Sequence, residues 1–162
     1  MHTHLRTVAA FMLAAIAAMP AIAQTTTSQT TTEDRQKRGA AAIQSLNRGQ
    51  PQPALERMRQ EFPFLAEATE AYALGDVWSR PGLDGRTRQL AAVASFAATG
   101  QLPFMKVHAG YALNIGVSED ELKEIVYLIT VPAGISRAIA ASQVLSELFA
   151  ERRAAPAPRT SP

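Results

Sequence analysis

"LPFMKVHAGYALNIGVSEDELKEIVYLIT", residues 102–130, decides the fold. Phe104, Val107, His108, Tyr111 and Ile115 recur at spacings of three and four, the period of one helix face. The spacing predicts a helix over about Leu102–Ile115 that turns His108 toward its buried side. Gly116 is the residue type that stops a helix in the left-handed conformation. Ser118 then offers an N-cap, with Glu121 three residues on completing a capping box, and Val117 and Leu122 hold the positions of a hydrophobic staple. A second helix continues through "LKEIVYLIT" until Pro132 and Gly134 interrupt it. Two helices meet at one glycine, and strand alternation is absent.

The same grammar extends outward in both directions. Upstream, Leu83–Thr99 reads as a long helix with Leu90, Val93, Ala94 and Ala97 on one side and Gly100 as its stop. "DVWSRPGLD", residues 76–84, is a connector, because Pro81-Gly82 favours a turn. "ALERMRQEFPFLAEATEAYALG" supplies one or two helices, with Pro63 as a break or a first-turn residue. "EDRQKRGAAAIQSL" is a first helix, ended by "NRGQPQP". Downstream, a last helix runs from about Ser136 to Arg152. Ile139, Leu145, Leu148 and Phe149 give it an apolar side, and Ala138, Ala140 and Ala141 allow close helix contacts. The fold class is all-α.

The chain has 162 residues, one domain's worth. Residues 1–23 carry a secretory signal pattern: Arg6, the apolar run "TVAAFMLAAIAAM", then Pro20 before "AIA" with small Ala21 and Ala23. The run is short for a membrane span of about 20 residues; an uncleaved anchor is the alternative. Cleavage places the chain in the periplasm or outside the cell, without stable membrane insertion. Residues 24–32 form a polar low-complexity leader, 33–152 the helical domain, and 153–162 a flexible tail.

Without Arg6 there remain 15 basic residues against 14 acidic, and no basic stripe with interleaved aromatics, which argues against a nucleic-acid partner. The chain contains no cysteine, so thiol chemistry, iron–sulfur clusters and Cys-ligated zinc are excluded. With His2 and His4 in the signal, His108 stands alone, and His-rich metal sites are excluded as well. No cofactor is implied.

His108 has the reference pKa suited to proton transfer; its alternative is a hydrogen-bonded core histidine. Arg80, Arg86 and Arg88 supply cations whose planar fork suits a carboxylate, beside Trp78 as an amphipathic wall. The plainer reading has Asp84 capping the following helix while Arg86 and Arg88 face solvent. Tyr72 and Tyr111 offer hydroxyl donors or serve as core-edge aromatics.

"YALGDVWSRPGLDGRTRQLAAVASFAATG" and "VHAGYALNIGVSEDELKEIV", taken with their order and spacing, resemble the carboxymuconolactone decarboxylase family, over about residues 62–149. The resemblance implies a compact helical bundle of the carboxymuconolactone decarboxylase, or AhpD-like, type that assembles as a homo-oligomer, commonly a trimer or hexamer. It maps the family's histidine onto His108, its W-S-R-P segment onto Trp78, Ser79, Arg80 and Pro81, and its arginine pair onto Arg86 and Arg88. The decarboxylase branch removes carbon dioxide from 4-carboxymuconolactone without a cofactor. The thiol peroxidase branch uses a C-x-x-C pair that this chain lacks. Three departures point to a divergent substrate. Pro103 and Phe104 stand where the decarboxylases carry acidic residues. Pro132, Gly134 and Ser136 replace a Tyr-x-Gly-x-Pro pattern, and there is an export signal.

The resulting expectation is an exported lyase or isomerase acting on a small carboxylated lactone or related acid. His108 and Arg80 would be catalytic, and Trp78, Arg86, Tyr72 and Tyr111 would bind substrate. In this reading the arginines hold the carboxylate and His108 protonates the carbanion as a general acid. A noncatalytic small-acid binding or assembly module is the alternative.

Overall fold

A computed structural model of the chain describes residues 30–155. The signal segment, residues 24–29 of the polar leader and most of the tail therefore lie outside the described residues. The regular elements within them are all helical: α1 Thr32–Leu46, α2 Pro53–Glu61, α3 Pro63–Glu67, a π-helical segment Ala68–Trp78, α4 Gly85–Thr99, α5 Leu102–Asn114, α6 Glu119–Ala133 and α7 Ile135–Ala154. None of the described helices is long and apolar enough to cross a membrane.

Local chemistry sets most boundaries. Thr31 caps α1 through a reciprocal capping box with Asp34, so the helix takes in the end of the stretch read as leader. Pro63 occupies the first turn of α3, where its missing N–H costs nothing. Asp84 caps α4, accepting from the Thr87 N–H at 2.9 Å; the helix therefore starts at Gly85, two residues later than expected. Gly100 closes it in the left-handed conformation, φ 75°. The Ser118/Glu121 capping box opens α6, and Val117 and Leu122 beneath it are both buried. Pro132 does not end α6. It lies in the last turn, and the chain breaks only at Gly134, where φ is 86°.

The helices form two layers. The main core lies among α4–α7, built on Val93, Ala97, Met105, Ala109, Leu122, Val126, Ile129, Ala141, Leu145 and Phe149. A smaller core joins α1, α2, α3 and the π segment to the other side of α5 through Ile43, Leu46, Leu55, Ala66 and Tyr111. Alanines at 109 and 112 let α5 sit deep in the first core, so its most buried stripe is Met105, Ala109 and Ala112. The Phe104–Val107–His108–Tyr111 face instead meets the smaller layer, which covers it incompletely. Phe104 and Val107 remain exposed, as does Ile139 of α7, contrary to the sequence expectation.

The π segment was not foreseen. Its i→i+5 bonding shows in Ser79 N–H donating to the Leu74 carbonyl at 3.1 Å. It packs on α1 at backbone distance. A Cβ at Gly39 would lie 2.1 Å from the Glu70 carbonyl oxygen, and one at Gly75 would lie 2.0 Å from that of Arg35. Arg35 and Arg38 of α1 close the contact by pairing with Asp76. This tight seam fixes the end of the π segment, and with it the place of Trp78.

Candidate functional site

Between the two layers lies a cavity of about 190 Å³. Leu46, Leu55, Met58, Leu74 and Val107 give it apolar walls, and its polar groups come chiefly from His108, Tyr111, Gln52 and Thr69. Its lining includes no lysine or arginine.

His108 sits in an aromatic cage. Its ring centroid is 5.1 Å from Phe96, 5.2 Å from Trp78 and 5.8 Å from Tyr111, the last edge-on. On one side Nδ1 meets Gln89 Oε1 at 2.9 Å. Nε2, on the far side of the ring, has no hydrogen-bond partner among the described residues. Burial among these rings pushes the imidazole pKa down to about 4. At neutral pH His108 is therefore uncharged, and the general-acid form expected from sequence is not its resting state.

Tyr111 is buried, and burial raises the pKa of its phenol. Gln52, the residue that caps α2, donates from Nε2 to the Tyr111 oxygen at 2.8 Å. That bond uses the oxygen as acceptor and leaves the O–H proton free to donate elsewhere. The cavity thus holds a neutral acceptor and a neutral donor within mainly apolar walls.

The other expected site residues do not join them. Arg80 is exposed, lines none of this cavity, and its guanidinium makes no hydrogen bond or ion pair among the described residues. It stands in the connector just past Ser79, the cap that ends the π segment. Arg86 donates to the Gly116 carbonyl at 2.6 Å and pairs with Glu121, tying the start of α4 to the start of α6. Arg88 donates to the carbonyls of Val77, Arg80 and Leu83 and lies 5.9 Å from the Trp78 ring centre, bracing the connector. Tyr72 is exposed on the π segment, away from the cavity. His108, Trp78 and Tyr111 are brought together; Arg80, Arg86 and Tyr72 are not.

Two glutamines were missed from sequence. Gln89 lies four residues before Val93 and eight before Ala97, on the stripe that the structure buries. That placement was the available signal. Gln52 gave none, since its partner lies 59 residues away. No group of three or more His, Asp or Glu side chains suited to a metal ion occurs among the described residues.

Comparison with known proteins agrees with this framework. Residues 63–147 match the model of the carboxymuconolactone decarboxylase family. The chain is also 38% identical over 85 residues to a 4-carboxymuconolactone decarboxylase of Acinetobacter baylyi. The match covers 52% of this chain and 63% of that relative, so it spans less than two thirds of the relative's length. The chain belongs to the carboxymuconolactone decarboxylase family.

Proposed function

We propose that this member of the carboxymuconolactone decarboxylase family is an exported, cofactor-independent lyase acting on a small carboxylated lactone or related acid. The observation that carries the reading is the pairing of His108 and Tyr111 in the wall of one apolar cavity, a neutral imidazole beside a hydroxyl whose proton is free.

Decarboxylation breaks the C–C bond to the carboxylate, and the electron pair moves into the conjugated carbonyl. The oxyanion that forms accepts the Tyr111 O–H, a stabilisation that grows as charge develops. A proton must then reach carbon, and one solvent proton is consumed for each carbon dioxide released. His108 takes up that proton at Nε2 and passes it on, which suits a neutral imidazole better than a permanent imidazolium. Leu46, Leu55, Met58 and Leu74 strip water from the departing carboxylate, so charge is dispersed as the reaction proceeds. Arg80 has no part in this scheme within one chain, and any second acid group of the substrate stays at the open mouth.

The same acceptor and donor favour a second reading, an isomerase that moves a proton next to a carbonyl without releasing carbon dioxide. Thiol peroxidase chemistry is unavailable to a chain without cysteine. Exposed Tyr127, Leu128, Val131 and Ile135 around the α6–α7 corner support assembly as a homo-oligomer, and the family resemblance suggests a trimer or hexamer.

The test is a panel of muconolactone-type acids incubated with the purified full chain, following substrate loss and carbon dioxide together. Substrate loss with carbon dioxide supports the lyase, and loss without it supports the isomerase. Saturable binding without either leaves a small-acid binding module, and no response at all rejects the site reading.

A further inference from the structure

We propose that Gln89 is a positioning residue that holds His108 in the Nδ1–H tautomer, so that Nε2 meets the cavity as a proton acceptor. The proposal rests on the reading that His108 moves the proton.

Gln89 is fully buried on α4, in the main core, where a polar side chain loses its hydration and needs a partner. It has one: Oε1 stands 2.9 Å from His108 Nδ1, while its Nε2 has no partner among the described residues. A carbonyl oxygen can only accept, so the contact requires a proton on Nδ1. In a neutral imidazole that leaves Nε2 bare. Trp78, Phe96 and Tyr111 pack around the ring and set its plane, but packing cannot choose between tautomers. Among the described residues, only Gln89 hydrogen-bonds the nitrogen that decides it.

An amide suits this place for a further reason. A carboxylate at position 89 would accept the same hydrogen bond but would also favour the imidazolium. Gln89 gives direction without charge and keeps the ring an unprotonated base. Turning the amide over would reverse the assignment. Nε2–H would then face Nδ1, the imidazole proton would move to its own Nε2, and Oε1 would be the unpaired atom.

Nitrogen NMR of the full chain labelled with ¹⁵N separates these states. The His108 signals are identified by their loss in His108→Gln. The expected result at neutral pH is a protonated-type Nδ1 and an unprotonated-type Nε2, with that tautomer dominant. In Gln89→Met, similar in size but without the acceptor, the ratio moves toward the mixture of a free imidazole. In Gln89→Glu the tautomer is kept, and the pH at which His108 takes its second proton rises by at least about one pH unit. A wild-type ring protonated at Nε2, or a ratio unchanged in folded Gln89→Met, overturns the proposal. If Gln89→Met fails to fold, the wild-type tautomer and the Gln89→Glu shift decide, and either one failing rejects it. The readout is the proton's place rather than turnover. Absence of lyase activity would remove the functional reading alone, and an unaltered tautomer would remove this one alone.

Discussion

Lowering the pH from 7.5 to 4.5 will cost the wild-type chain about 2.5 kcal/mol more folding stability than it costs His108→Gln. The ordinary imidazole pKa of 6.5 falls to about 4 in the folded protein, because burial among Trp78, Phe96 and Tyr111 disfavours the charged ring. Above about pH 6.5 the ring is neutral in both folded and unfolded chains, and its contribution to stability is fully present. Between 6.5 and 4 the unfolded chain binds a proton that the folded chain refuses, so stability falls by up to about 1.4 kcal/mol per pH unit. Below 4 both states are protonated and the loss stops growing. Asp34, Asp76, Asp84 and Glu121 also have lowered pKa values, but their losses come at lower pH and are common to both proteins. Urea melts at several pH values, fitted with a constant m-value, isolate the difference. Parallel pH dependence in the two proteins would refute the burial argument, and with it the claim that His108 rests as a neutral base.

Tyr111→Phe removes the only hydroxyl that Gln52 orients, so turnover falls by about 10²- to 10³-fold, while stability, read by thermal melting, changes by about 1 kcal/mol. Gly75→Ala drives a methyl to 2.0 Å from the Arg35 carbonyl oxygen, forcing α1 from the π segment. It costs at least about 2 kcal/mol, seen as a Tm lower by roughly 5 °C or more. Arg80→Ala leaves the melting temperature and KM close to wild type, within about threefold for KM, since its side chain touches neither core nor cavity. A KM raised more than about a hundredfold would mean that Arg80 reaches a cavity in another copy of the chain.

The parts of the fold written in local chemistry were the parts legible in the sequence. Gly100, Gly116 and the Ser118/Glu121 box set helix ends through bonds spanning a few residues, and Pro63 fell where a first turn tolerates it. That His108 turns inward rather than straight into water also followed from its three-and-four spacing with Tyr111, but which layer it meets did not. What stayed hidden depended on contacts distant in sequence. The π segment takes its shape against α1, through Gly39, Gly75 and the Asp76 pairs, and no propensity encodes that seam. Arg80 lies two residues from Trp78 in sequence, yet of the two only Trp78 lines the cavity. Gln89 was hidden differently. Its helical phase marked it as inward-facing, but a glutamine is ordinarily a surface residue, and its meaning depended on the histidine 19 residues later.

The central claim is that His108, in its aromatic cage, carries the proton of a reaction taking place in the cavity. Carbon dioxide release at pH 7 from the best acid of the panel, measured for wild type and His108→Gln, tests it most directly. The wild-type chain is expected to turn over, and the folded variant to lose about 10²- to 10⁴-fold in rate with binding largely retained. Equal rates in the two folded proteins would contradict it.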